Sequence, residues 1–288
     1  MRTNHLFIII FALIITSVAI NARRMPKKNN NITTPTNVVE KPVIVFDLIN
    51  VLFKESYIGF AQKIGYGTLA NYALTHWKNP GHRCLDMLHS ISNHETQKPH
   101  VCLTINGRTM PRCLVELQTG KQTCAQTKEE IAQAIAHLDT AKFFSSIKEK
   151  NLMSSIMNLM LDPAVISHVT EPIKQMVTLA QKLKNNGYDL YLCANVPQEF
   201  YTALQKKYPD IIQLFKGVII SSEVKKVKPE KEMFEHLLNT HKLSAQNCIV
   251  IDTMPQSIDV AKQLGMRTIL YNKASQLTNE LKKYGVVV

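Results

Sequence analysis

An unbroken apolar run, Val43, Ile44, Val45 and Phe46, follows Lys41-Pro42 and stops at Asp47. Four similar runs come late in the chain, over 190–193, 218–220, 248–251 and 268–271. Runs this short, apolar at every position rather than at alternate ones, describe strands buried on both faces. Between them the period changes. Across 171–186, Pro172 sits where a helix would begin, Ile173, Met176, Val177, Ala180 and Leu183 recur at helical spacing, and Gly187 ends the pattern. Met233, Phe234, Leu237 and Leu238 repeat it, as do Ile258, Ala261 and Leu264 before Gly265. Alternating strand and helix predicts an α/β fold built on a doubly wound parallel sheet.

The first strand and the late block are separated by residues 54–170, dominated by helical pattern over 61–77, 128–138 and 143–161. This reads as a helical insertion into a sheet domain formed by 42–53 together with 171–288. Within it, 102–105 and 113–117 flank Asn106-Gly107, a pair suited to a type I′ turn, and predict a hairpin. At the start of the chain an uncharged apolar run over 6–20 lies between Arg2 and a basic flank of Arg23, Arg24, Lys27 and Lys28. Its length fits an export signal over 1–22 followed by a polar linker over 23–41, and predicts an exported, periplasmic or secreted protein. The basic flank supports the alternative of a membrane anchor with a cytoplasmic domain, in which membrane contact runs through 6–20 alone.

A hydrophobic content of 45% over 288 residues supports one large or two modest domains and excludes a disordered or collagen-like chain. The net charge of +12 suits a small anionic substrate, nucleic acid or an acidic lipid surface without choosing among them. The basic cluster around Lys225, Lys226, Lys228 and Lys231 lacks interleaved aromatics, which argues against nucleic acid. Six cysteines permit disulfides in an exported protein, with no pairing readable. His82, His89, His94 and His100 lie near Cys84 and Cys102 but lack the tight pairs typical of structural zinc. Nothing in the sequence speaks to oligomeric state.

In a sheet of this kind the site forms beyond the carboxyl ends of the strands. Those ends carry Asp47, Ala194-Asn195 and Asp252, and Lys228-Pro229 lies in the loop after the third strand. Two carboxylates converging on a lysine suit group transfer through an aspartyl nucleophile. Asp47 would attack, and Lys228 would neutralise charge on the nucleophile and the transferring group. Each residue also has a plainer reading: Asp47 as a turn residue, Lys228 as one solvated charge among several, Asp252 as a helix cap. Cys193 reads as a strand-packing thiol.

Four segments in this order resemble the motifs of the haloacid dehalogenase (HAD) superfamily. Phe46-Asp47-Leu48-Ile49-Asn50-Val51-Leu52 is similar to the first, and Leu192-Cys193-Ala194-Asn195 to the second. Ser221-Ser222-Glu223 through Val227-Lys228-Pro229-Glu230 resembles the third, and Val250-Ile251-Asp252-Thr253 the fourth. The insertion after the first motif resembles the superfamily's C1 cap. The resemblance implies a Rossmannoid hydrolase of phosphatase type acting on a small phosphorylated metabolite. It further implies Asp47 and Lys228 as catalytic residues, Lys228 with Ala194 and Asn195 around the phosphate, and Mg²⁺ held by Asp47, the Ile49 carbonyl and Asp252.

Three positions depart from the pattern. Ile49 stands where the family usually has a second aspartate, the acid/base for the leaving group, and losing such a group costs about 10²- to 10⁴-fold in rate. Ala194 replaces a hydroxyl residue, and Thr253 replaces a second acid, which weakens the expected Mg²⁺ site. These departures support two alternatives: a catalytically degenerate HAD-like protein that binds a ligand or partner, and a metal-independent dehalogenase-like hydrolase.

Overall fold

The structure is a computed structural model that describes residues 41–68, 87–88, 104–105, 108–138 and 143–288. The expected leader, the polar linker, Cys84, Cys102 and the histidines between them lie outside the described residues.

Five strands form a wholly parallel sheet: β1 (Val43–Phe46), β6 (Leu190–Ala194), β7 (Gly217–Ile220), β8 (Cys248–Asp252) and β9 (Arg267–Leu270). Their order across the sheet is β7-β6-β1-β8-β9. The chain builds outward from β1 on one side, then crosses back to build the other. Strand order therefore reverses at β1, the point where a parallel sheet opens a crevice at its carboxyl end. The strands read as continuous apolar runs because both faces are covered. Ile44, Phe46, Leu190, Leu192, Ile249 and Ile251 enter one buried cluster, while Val43, Val45, Tyr191, Cys193, Cys248 and Val250 enter another.

The layers on the sheet include α6 (Lys174–Asn185), α7 (Gln198–Lys207), α10 (Lys231–His241), α11 (Pro255–Gln263) and α12 (Ala274–Lys283). The first of these begins at Lys174. Pro172 is not its opening residue but ends a short strand, β5 (Thr170–Pro172), paired antiparallel with β2 (Phe53–Glu55). Helical spacing was legible here, but the long-range pairing that claims Pro172 leaves no local mark.

Between β2 and β5 lie the helices α1 (Tyr57–Ile64), α2 (Arg112–Gln118), α3 (Cys124–His137), α4 (Ile147–Met160) and α5 (Pro163–Val169). The expected hairpin is only partly present. Strands β3 (Thr104–Ile105) and β4 (Arg108–Thr109) pair around 106–107, but residues 113–117 belong to α2 and not to a strand. Pro111 starts that helix, and an Arg112–Glu116 ion pair one turn apart supports it. Among the described residues no single helix is long and apolar enough to cross a membrane.

The inserted helices sit against the sheet domain through directed bonds. Ser221 Oγ donates to the Gln118 carbonyl (2.7 Å), Lys225 Nζ to the Gly120 carbonyl (2.9 Å), and the Cys124 amide to Glu199 Oε1 (2.9 Å). Gly120 has φ +61°, and a Cβ there would lie 2.5 Å from the Ser222 carbonyl, so a side chain at this contact would force the two parts apart. Near the crossing point, Lys207 Nζ caps the end of α5 through the Ser167 and His168 carbonyls, and Tyr208 Oη donates to the Thr170 carbonyl (2.9 Å).

Glu55, at the end of β2, is 5% exposed, and its Oε1 has no hydrogen-bond partner. Burial pushes its pKa up to about 7. The folded form therefore holds a proton that the unfolded chain releases near 4.5, and stability falls as pH rises between the two values. Glu55→Gln is expected to stabilise the fold by a few kcal/mol, roughly, above pH 7 and to do little below pH 4; urea unfolding at the two pH values checks it.

Candidate active site

β1 delivers Asp47 at its carboxyl end, where the Asp47 amide donates to the Ile251 carbonyl of β8 (2.9 Å). This ladder bond places Asp47 beside the end of β8, where Asp252 closes the strand. Beyond Asp47 the chain turns at once. The Leu52 and Phe53 amides both donate to the Leu48 carbonyl, and Asn50 takes the left-handed conformation (φ +62°) that an asparagine tolerates better than most residues. Ile49 bridges to Phe53 through its neighbours' Leu48 carbonyl and Asn50 amide, so its own carbonyl takes no part in that bridge. The Ile49 side chain is 4% exposed and joins the main core cluster with Phe46, Leu48 and Leu52.

Lys228 reaches this point from the loop after β7. Its Nζ lies 2.8 Å from Asp47 Oδ1 and 2.6 Å from Asp252 Oδ2, and the three residues are 1%, 7% and 0% exposed, respectively. Two anchors hold the loop. Asn195 Oδ1 accepts from the Lys228 amide (2.7 Å) while Asn195 Nδ2 donates to the Lys228 carbonyl (2.9 Å). Glu230 folds back so that its Oε2 accepts from the Val227 amide (2.8 Å) and its own amide donates to the Val227 carbonyl (2.8 Å). A third contact fixes the loop after β6, where Ser221 Oγ accepts from the Val196 amide (2.9 Å).

The electrostatics follow from the dryness of the cluster. Burial is the largest influence on Asp47, and the Asp252 charge adds to it. Lys228 opposes both, leaving a pKa pushed up to about 6. Burial also works against the charge on Lys228, but Asp252 and Asp47 together outweigh it and hold the ammonium above the ordinary lysine range. Cys193, one strand over, is pushed up to about 12 by burial, so it remains a thiol.

Of the residues singled out in the sequence, Asp47, Lys228 and Asp252 therefore meet at hydrogen-bonding distance. Asp252 has two tasks, because its Oδ1 also accepts from the Met254 amide (2.7 Å) ahead of α11. Both polar atoms of the Asn195 side chain bond the Lys228 backbone, so the residue positions the lysine. Ala194 is a buried strand residue whose methyl group joins the core cluster and offers no polar atom. Ser221 and Glu230 stood in the sequence only as members of the third motif, with no bonding role assigned, because nothing local separates a loop-closing glutamate or serine from a solvated one. Cys124, Cys193 and Cys248 are buried free thiols, so these three of the expected disulfide candidates carry none.

The oxygen donors at the strand ends suit a hard cation. Asp47 and Asp252 supply carboxylates, and the neighbouring Thr253 Oγ1 is buried without a hydrogen-bond partner. Two carboxylates, both contacting Lys228, make a weaker cation site than three would.

A doubly wound parallel sheet with a carboxylate–ammonium–carboxylate cluster at its strand ends defines a Rossmannoid α/β fold with a candidate active site. The chain belongs to the haloacid dehalogenase-like hydrolases, whose family model matches residues 112–271. That match takes in Asn195, Lys228 and Asp252 and begins after Asp47. A sesquiterpene phosphatase of Aspergillus oryzae is 28% identical over 95 residues, 33% of this chain and 48% of the relative, so the match spans about half that relative's length. Among solved structures, a HAD family enzyme of Bacteroides thetaiotaomicron is similar at 16% identity and TM-score 0.52, covering 83% of this chain and 98% of the other. A mutant of the same enzyme, crystallised with magnesium and inorganic phosphate, is similar at 16% identity and TM-score 0.51, over 83% and 99% of the two chains. A dehalogenase is similar at 13% identity and TM-score 0.50, over 85% and 99%. At these identities the structural likeness is one of fold.

Replacing Asn195 by alanine leaves the Lys228 amide and carbonyl without their side-chain partners. The expected loss is about 1–3 kcal/mol of stability, accompanied by reduced turnover because the ammonium is no longer fixed between its carboxylates; chemical denaturation and steady-state assay check the two effects.

Proposed function

We propose that this hydrolase is a phosphatase-type enzyme that cleaves small phosphorylated metabolites through an aspartyl nucleophile, Asp47. The observation that carries the reading is the placement of Lys228 Nζ, 2.8 Å from Asp47 and 2.6 Å from Asp252, in a nearly solvent-free cluster. A fixed ammonium in such surroundings stabilises charge far better than it would in water. It favours the ionised carboxyl of Asp47 against burial, and it faces the position where negative charge gathers as a phosphoryl group approaches. Asp252 keeps that ammonium charged and directed, and Asn195 and Glu230 hold the loop that carries it. Asp47, Asp252 and the Thr253 hydroxyl would hold Mg²⁺, with the Ile49 carbonyl as a further oxygen, and the ion would supply charge neutralisation at the phosphoryl oxygens. The partial likeness to a sesquiterpene phosphatase supports phosphate as the group removed.

A second reading is favoured by the two-carboxylate donor set: a metal-independent hydrolase of dehalogenase type on the same nucleophile. Activity that persists in EDTA would select it.

Assay with aryl phosphates and Mg²⁺ tests the proposal. Asp47→Asn is expected to abolish turnover, and unchanged turnover would refute the nucleophile. Since the attacking form is the ionised carboxyl and its pKa lies near 6, kcat/KM in the wild type is expected to rise through about pH 6 and level off above pH 7.

A further inference from the structure

The end of the sheet opposite the candidate active site carries a charge pattern that hydrolysis does not use. There the strands begin, and α6, α10, α11 and α12 end. Hydrogen bonds tie these ends together. Lys41 Nζ donates to the Asn186 carbonyl (2.7 Å), Asn247 Nδ2 to the Lys41 carbonyl (3.4 Å), the Val287 amide to Tyr188 Oη (2.8 Å), and Tyr284 Oη to the Thr268 carbonyl (3.3 Å). The segments that meet here, 182–190, 241–248, 262–267 and 280–288, hold seven lysines and arginines against two acids. Both acids are engaged, Asp189 by Lys216 (2.6 Å) and Glu280 by Lys283 (2.7 Å). Lys182, Lys184, Lys242, Lys262 and Lys282 are exposed and have no acidic partner among the described residues. A lysine at one helix end is an ordinary partner for the terminal carbonyls. Four such ends gathered on one face, with the local acids already paired, make a positive surface.

What this surface meets follows from the chain that enters it. Lys41 leads into β1 on this face, bonded to Asn186 and Asn247, so the preceding residues join the domain from this side. In the sequence, Arg23, Arg24, Lys27 and Lys28 follow the uncharged apolar run over 6–20. Residues 29–40 alone separate Lys28 from Lys41, a reach of at most about 50 Å. We propose that the face docks on an anionic lipid bilayer, with 6–20 retained as the inserted segment and the lysines of the folded domain as a second contact. The run is shorter than the ~20 residues that span a bilayer, and a basic surface beside it adds attraction to acidic headgroups. Its basic flank belongs on the side of the membrane where the folded domain then lies. Asp47, Lys228 and Asp252, at the other ends of the strands, face the aqueous phase in this arrangement.

The test titrates the full chain with vesicles of phosphatidylcholine, alone or carrying about 30% phosphatidylglycerol, and reads binding by flotation at about 0.05 M and 0.5 M NaCl. The expected result is a preference for the anionic vesicles of about 10-fold or more at low salt, largely lost at high salt. Lys182→Glu, Lys184→Glu and Lys282→Glu together are expected to lower that preference about 10-fold. The same reversal at Lys63, Lys121 and Lys148, exposed lysines of the insertion, is expected to leave it nearly unchanged. Glutamine at the three face positions is expected to fall between, and it decides if the glutamate variant fails to fold. Equal losses in the two reversed variants would reduce the effect to net charge, and no loss in the face variant would leave the contact to the basic flank alone; either overturns the proposal. So would duplex DNA bound through the face without any preference between the vesicles, or recovery of the chain from the cells that make it without residues 1–22.

Discussion

The site depends on one ammonium placed between two carboxylates where almost no water reaches. Lys228, Asp47 and Asp252 have all left solvent, and desolvating three charges costs several kcal/mol per ion before attraction returns any of it. The return is incomplete at Asp47, which stays well above the ordinary carboxylate range despite its ion pair. A well-packed hydrophobic trio of the same volume would often hold the sheet together as well or better. The cluster is therefore poorly explained by stability and better explained by a functional site, since strongly perturbed carboxylates beside a fixed charge gather at such sites.

The rest of the fold holds that cluster. Both faces of the sheet are covered by core clusters. The inserted helices are held down by Ser221, Lys225 and Glu199 from the sheet domain, and Gly120 lets the backbones approach. Ser221 links lid and site directly: its hydroxyl donates to the Gln118 carbonyl of the lid and accepts from the Val196 amide in the loop that also carries Asn195. Lid docking and lysine positioning thus share one hydroxyl. Exclusion of water and alignment of the ammonium are coupled through a short chain of hydrogen bonds.

How much of this was legible in the sequence depended on whether the signal was local. The five sheet strands announce themselves because burial makes them largely apolar, with Arg267 and Thr268 on the edge strand the main exceptions, and the structure moves their ends by about one residue. Asp47, Lys228 and Asp252 were visible because each interrupts or follows such a run. What escaped was long-range. Pro172 looked like a helix start until its pairing with Phe53 made it a strand. Residues 113–117 were expected as a hairpin strand because of the Asn106-Gly107 turn before them, but Pro111 and an ion pair one turn apart make them a helix. The engagement of Asn195 with Lys228 crosses 33 residues and has no sequence signature.

Ile49 and Thr253 bear differently on function than on fold. A protein that only bound a ligand would gain nothing from a lysine buried between two aspartates, and it would carry their desolvation as a liability. An enzyme that had simply lost its chemistry would not need Asn195 and Glu230 to hold that lysine in place. The combination fits a site retained for charge stabilisation, and positioning and electrostatics carry most of the rate in phosphoryl transfer.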